Sequence, residues 1–311
     1  MSQRSNRILR SLGLVVALSL IMGAVAMGAT IIGDSGPDNL TGTPGHDRIE
    51  ARAGADTVTA LAGPDRVHAG ADNDTVNAGA GSDAAVGGLG DDTVDGDLGP
   101  DRLHGNAGND TVRGGAGRDL LTGNAGTDSL DGGPGCDRIF AGPDDDLIEG
   151  GPGGGGFLRF RCERLHGGAG NDTANGGIGR DFMSGGLGDD TQSGGGGADK
   201  LFANPGRDVS SGGDGRDVLW ALARVDVAAI GDSEGDELSG GEGNDRFHVR
   251  DGEVDLVHCG GGARDRVLGD QFDQIDADCE RVERREVTSL DQVEDREENR
   301  TEDPSEDRSQ G

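Results

Sequence analysis

The sequence predicts an all-β chain wound into a solenoid of short parallel strands, and three observations carry that expectation. A nine-residue register opens at Gly33 and runs without a gap through Glu149, and self-similarity at a fixed period marks a repeat architecture. In nearly every nonad an acidic residue at position six is followed at position eight by an apolar one, so a three-residue strand would turn a single side chain inward. Glycine supplies 62 of 311 residues, aromatics are 3%, and tyrosine is absent. A core of large side chains is therefore out of reach, and a glycine period of nine rather than three excludes collagen.

Taken in chain order, residues 1–29 read as an export signal. Arg4, Arg7 and Arg10 precede an apolar run from Leu12, and Ala24-Val25-Ala26 offers a small-x-small cleavage site. A retained anchor is the alternative, since the run reaches about 18 residues. The expected destination is secreted and extracellular, with attachment at the cell surface as a variant and no stable membrane insertion after cleavage.

Residues 30–248 hold the nonads, among them GDSGPDNLT, GTPGHDRIE, ARAGADTVT, GGLGDDTVD, GNAGNDTVR, GGAGRDLLT and GGPGCDRIF. Eight extra residues, 154–161, interrupt one copy. The register resumes at Gly167, holds through Trp220, degrades over ALARVDVAAI and recovers in GDSEGDELS and GGEGNDRFH. Position six is acidic in all 23 copies, with Glu163 the one that is not Asp. Residues 249–285 keep an acid-x-aliphatic beat at shortened spacing, as in Asp255/Val257, Asp265/Val267, Asp273/Ile275 and Glu280/Val282. Residues 286–311 form a polar acidic tail, expected to be disordered.

These nonads resemble the hemolysin-type, or RTX, calcium-binding repeat GGxGxDxUx. The resemblance implies a parallel β-roll, a calcium-stabilised β-solenoid in which six residues turn and bind the ion while three form a strand. Asp72 and Asp144 stand where the pattern has its fourth-position glycine, and ALARVD has no glycine; those turns are expected to be weak ones.

The chemistry of the residues agrees with that implication. Glycine takes positive φ without strain and lets a turn bend its carbonyls toward a common point. Calcium wants six to eight oxygens at about 2.3–2.6 Å. With two nonads to a coil, acids 18 residues apart lie on neighbouring rungs, about 4.8 Å apart, a stack of like charges that needs a cation between them. One row of expected metal ligands contains Asp38, Asp56, Asp74, Asp92, Asp110, Asp128, Asp146, Asp172, Asp190 and Asp208. The other contains Asp47, Asp65, Asp83, Asp101, Asp119, Asp137, Glu163, Asp181, Asp199 and Asp217, and Asp236 and Asp245 follow in the recovered copies. The expected cofactor is Ca2+, as multiple ions, with folding coupled to their binding. A net charge of −31 points the same way and argues against nucleic acid or an anionic membrane as the main partner.

Cys136 and Cys162 both occupy position five in nonads two apart. The coil puts them on adjacent rungs, at a separation compatible with a disulfide; free thiols or a metal pair are the alternatives. The segment after His248 resembles the terminal coils of secreted bacterial proteins of this type, and there Cys259–Cys279 is expected to staple a cap over the core.

Outward positions differ between the two sides of the coil. On one side position seven reads Thr57, Thr75, Thr93, Thr111, Ser129, Thr173 and Thr191. On the other it reads Arg48, Arg66, Arg102, Arg138, Arg164 and Lys200, with His68, His104, Phe140, His166, Phe202 and Trp220 at position nine. The second set can form a ledge for an acidic polymer, a cell-surface glycan or a protein; alternatively each Arg neutralises nearby carboxylates and the aromatics pack on the stems. Ala174, Gln192 and Ser210 fall at core positions on successive rungs, where local opening is expected first.

No HExxH, no GxSxG with its partners and no GK[ST] phosphate loop appears, and the histidines are dispersed. The expected function is an extracellular calcium-binding structural or adhesive module and not an enzyme. A secreted calcium-dependent enzyme, hydrolase or epimerase accessory, or a ligand-binding solenoid using its Arg/aromatic face, is the alternative.

Overall fold

The computed structural model describes residues 27–152, 163–221 and 235–287. The export segment 1–26, the insertion 153–162, the degraded copy 222–234 and the tail 288–311 lie outside the described residues. Every regular element described is a strand.

The alternation of one apolar residue between two polar ones winds the chain between two sheets that face each other. The first sheet begins with Thr30–Ile32, continues through Arg48–Ala53, Arg66–Ala71 and their successors, and ends with Arg281–Arg284; it has 14 strands. The second begins with Asn39–Thr41 and Thr57–Thr59 and ends with Gln274–Ile275. Consecutive strands alternate between sheets and neighbours within a sheet are parallel, so each coil consumes two nonads, with Val58 opposite Val76 and Ile49 opposite Val67. The ladder runs on through the turns: Thr57 N–H donates to Asp38 O at 2.9 Å and Thr75 N–H to Asp56 O at 2.8 Å.

Register survives both interruptions. Arg138 pairs with Arg164 and Leu147 with Thr173 across the insertion. Val209 pairs with Glu237 and Val218 with Arg246 across the degraded copy. The strands on either side of each interruption are therefore in phase. Both sheets also continue past His248, through Leu256–His258 and Arg266–Gly269. The boundary read there is a change of spacing within one continuous stack.

The core is one residue wide on each side. Val58, Val76, Val94, Val112, Leu130 and Ile148 fill it from the second sheet, and Ile49, Val67, Leu103, Leu121 and Ile139 from the first; all are buried. Residues at position one, such as Ala51, Ala60 and Ala69, add a second thin layer. At the C-terminal end Cys259 and Cys279 are joined as expected, with Cα atoms 5.2 Å apart, and both pack on the core cluster. Cys136 is disulfide-bonded; its expected partner Cys162 lies outside the described residues.

Two features depart from the three-residue strand expectation. Strands of the first sheet run to six residues, because residues two and three of the following turn also pair, as Gly70 with Gly88 and Ala71 with Leu89. That pairing needs a left-handed backbone at position two: Gly142 has φ +133°, and a Cβ there would fall 2.1 Å from Asn124 O. The turns holding Asp72 and Asp144 are not broken. Both residues take the left-handed conformation, at φ 75° and 80°, which Asp tolerates better than most residues. Their carboxylates accept the Gly54 and Gly126 N–H groups of the preceding coil at 3.0 and 3.1 Å.

Candidate metal centre

The turn that follows each strand delivers its position-six carboxylate to the interior edge of the stack, in a column on each side. Asp56 N–H donates to Asp74 Oδ1 at 2.8 Å, Asp74 N–H to Asp92 Oδ1 at 2.8 Å, and Asp92 N–H to Asp110 Oδ1 at 2.8 Å. The other column repeats the pattern from Asp65 N–H to Asp83 Oδ1 at 2.6 Å and from Asp83 N–H to Asp101 Oδ1 at 2.7 Å. Each carboxylate thus reaches back one coil and occupies one oxygen on the backbone of its predecessor. The longer Glu163 does the same across the insertion, accepting Asp137 N–H on Oε2 at 2.7 Å.

The other oxygen is the chemically telling one. From Asp56 through Asp199, and again in Asp217, Asp236 and Asp245, every position-six acid is buried, and its second carboxylate oxygen has no hydrogen-bond partner among the described residues. A buried acceptor without a partner costs about 1–3 kcal/mol, and more when it carries charge. Repeated along two columns, that cost demands a shared remedy. Where the nonad opens on glycine, the unpaired oxygen lies over that residue: a Cβ on Gly105 would sit 2.2 Å from Asp110 Oδ2, and on Gly123 2.1 Å from Asp128 Oδ2. The donor set is oxygen throughout, carboxylate with turn carbonyls, which fits a hard divalent cation.

Burial shifts the acids strongly. Desolvation raises Asp92, Asp110 and Asp128 to about 6 against the opposing backbone hydrogen bond. It raises Asp190 to about 7, Asp199 to about 8 and Glu163 to about 9, with neighbouring carboxylates adding to the effect.

The columns contain the residues expected from the sequence, with one graded end. Asp38 is half-buried and its Oδ2 accepts Asp34 N–H at 2.7 Å. Asp47 accepts Thr43 N–H at 2.5 Å and the Thr43 hydroxyl at 2.9 Å. These first two acids thus bond within their own turns, and Asp47 Oδ1 also accepts the Ala29 N–H across the coil. At the other end the columns extend further than the nonads: Asp236 N–H donates to Asp255 Oδ1 and Asp245 N–H to Asp265 Oδ1, each at 2.8 Å.

Sequence reasoning missed Asp251 and Glu253. With Asp255 they bring ligand oxygens within 4.8 Å of one another, all three buried. Acids on alternate residues were the available signal, hidden because this turn departs from the nine-residue count.

On the outer surface of the first sheet Arg66, Arg102 and Arg246 form no ion pair with a described acid. The ion pairs described there are Arg48–Glu50 and, at 3.1 Å, Arg266–Glu283. Arg138 lies 5.6 Å over the Phe140 ring and Lys200 5.2 Å over the Trp220 ring. Phe182, Phe202 and Trp220 point outward from the sheet yet are 4–7% exposed. They stack, with centroids 4.9 Å apart for Phe182–Phe202, 4.4 Å for Phe202–Trp220 and 5.2 Å for Trp220–His248.

A family model described as the RTX calcium-binding nonapeptide repeat, in four copies, matches residues 32–67, 51–85, 86–121, 122–155, 163–192, 193–221 and 230–253. A search of the curated proteins finds no match.

Proposed function

Because the chain belongs to the family of RTX calcium-binding nonapeptide repeats, we propose that it is an extracellular structural module whose roll folds when calcium enters the two acidic columns. The observation that carries this reading is the row of buried carboxylate oxygens left without a hydrogen-bond partner on successive coils. Asp56, Asp74 and their successors would hold ions on one side, and Asp65, Asp83 and theirs on the other. Calcium supplies the positive charge that lets these acids remain ionised in the interior. The chain supplies spacing, through the parallel ladder, and exclusion of water, through the thin apolar layer beneath. Coupling to folding follows because the unfolded chain holds no preformed site.

The amino-terminal apolar segment supports export, and extracellular calcium at millimolar levels suits weak, numerous sites. An adhesive or surface-spacing role accords with a long stack that carries no catalytic constellation in its sequence. Circular dichroism of the exported form with graded calcium tests the proposal: the β signal should appear with calcium and disappear in chelator. A full β signal in chelator, or no calcium uptake at millimolar concentration, would refute it.

A further inference from the structure

We propose that the outward surface of the first sheet is a docking surface for an extended anionic polysaccharide, carboxylated or sulfated, laid along the roll. The inference rests on the calcium-held reading above, because only the folded stack aligns the residues involved. Position seven of this sheet carries Arg or Lys on most rungs, and the acids at its outward positions are Glu50 and Glu283, one near each end. The opposite sheet presents Thr57, Thr75, Thr93 and Thr111 in register, with Asp95, Asp131 and Glu149 beside the row. Much of the chain's negative charge is turned into the two columns, away from this surface.

Arg66, Arg102 and Arg246 are exposed, and none forms an ion pair with a described acid. Guanidinium groups held in register on one parallel ladder at multiples of about 4.8 Å match an extended polymer whose charges recur at constant intervals, and each can grip a carboxylate or sulfate through paired N–H donors. A folded acidic protein would need large aromatic anchors at the centre of its contact, and the Phe and Trp rings here pack on one another or on His166 and His248. Single-stranded nucleic acid would likewise need exposed rings for its bases, and the phosphates of a duplex wind away from a straight ladder.

The test uses the calcium-loaded full chain, with dextran sulfate and heparin as probes and uncharged dextran and oligo-dT as comparators. Both sulfated polymers should be retained, less so as salt rises, and neutral dextran should not. The double variant Arg66→Ser/Arg102→Ser should lose about ten-fold in affinity with an unchanged β signal, while Arg113→Ser on the opposite sheet stays close to the parent. Folding in calcium without retention of either sulfated polymer overturns this proposal alone; absence of calcium-dependent folding overturns it together with the reading beneath it. Equal binding by the double variant also overturns it, as does oligo-dT binding as tightly as dextran sulfate, which would make the surface a nucleic-acid one. Retention that appears only when residues 288–311 are removed would assign the face to the chain's own acidic segment instead.

Discussion

The coils around Leu121 and those around Gln192 share one ladder and differ in what fills it. In the first group Leu103, Leu121 and Ile139 meet Val112, Leu130 and Ile148 across the interior. In the second, Met183, Leu201 and Leu219 still line one side, but Ala174, Gln192 and Ser210 line the other. Gln192 gives one N–H to Phe202 O at 2.9 Å, while its Oε1 and the Ser210 hydroxyl are buried without partners. Yet the carboxylate column continues unchanged through Asp172, Asp190 and Asp208. The bonding pattern of the columns therefore continues where the apolar filling beneath them lapses. Where the inside is poorly filled, stacked rings from Phe182 to His248 lie on the outside of the opposite sheet.

The harshest way to break the comparison is to remove calcium. Both groups of coils should then unfold together, seen as loss of the β signal and of hydrogen-exchange protection along the whole chain. Survival of the Leu121 coils alone in chelator would show that apolar filling, not the ion columns, holds them. Next in size, Leu121→Ala should cost about 2–5 kcal/mol in calcium, measured by denaturant unfolding.

Acidity should separate the two groups more finely. A buried acid whose pKa lies above its unfolded value of about 4 binds protons better folded than unfolded. The ion-free roll is thus most stable below that value, and it loses stability as pH rises toward the folded pKa. Around Asp92, Asp110 and Asp128 in the first group, and Asp172 and Asp181 in the second, the loss should be complete near pH 6. Around Asp101 and Asp137 in the first group it should continue to about pH 7, and only around Glu163 and Asp199 on to about pH 8–9. In chelator, acidification should accordingly restore β signal, and protons should compete with calcium, so affinity measured at pH 5 falls below that at pH 7.5. Smallest of all, Gln192→Leu should stabilise the calcium form by about 1–2 kcal/mol and slow hydrogen exchange in its own coils. Parent exchange that is already slowest there would contradict the weakness ascribed to that row.

What could be read from the sequence follows from its period. Nine residues and an acid-x-apolar beat place Val58 inward and Asp56 at the turn, and a step of two nonads puts Asp56 under Asp74. Period says nothing about what a backbone group is given to. That Asp74 Oδ1 takes the Asp56 N–H, leaving Oδ2 alone, emerges only from the folded turn. Asp72 reads as a lesion in the glycine pattern because its own carboxylate's bond to Gly54 lies a coil away. The Arg row was ambiguous because pairing with acids depends on which neighbours share its face, and Arg66 and Arg102 find His68 and His104 beside them at position nine. Trp220 marks the limit of an inside–outside code: it sits at an outward position and is still buried, by rings contributed from other rungs.

The ladder also dictates how the molecule meets mechanical load. Its main-chain bonds run along the long axis, from each coil to the next, so tension between the two ends loads the coils in series and tests the weakest first. A regular coil that yields frees 18 residues, about 60 Å of slack, and the coils that span the two interruptions free 26 and 28. Under steady tension the stack should lengthen in steps, equal for the regular coils and longer for the two interrupted stretches, like a rope released one loop at a time.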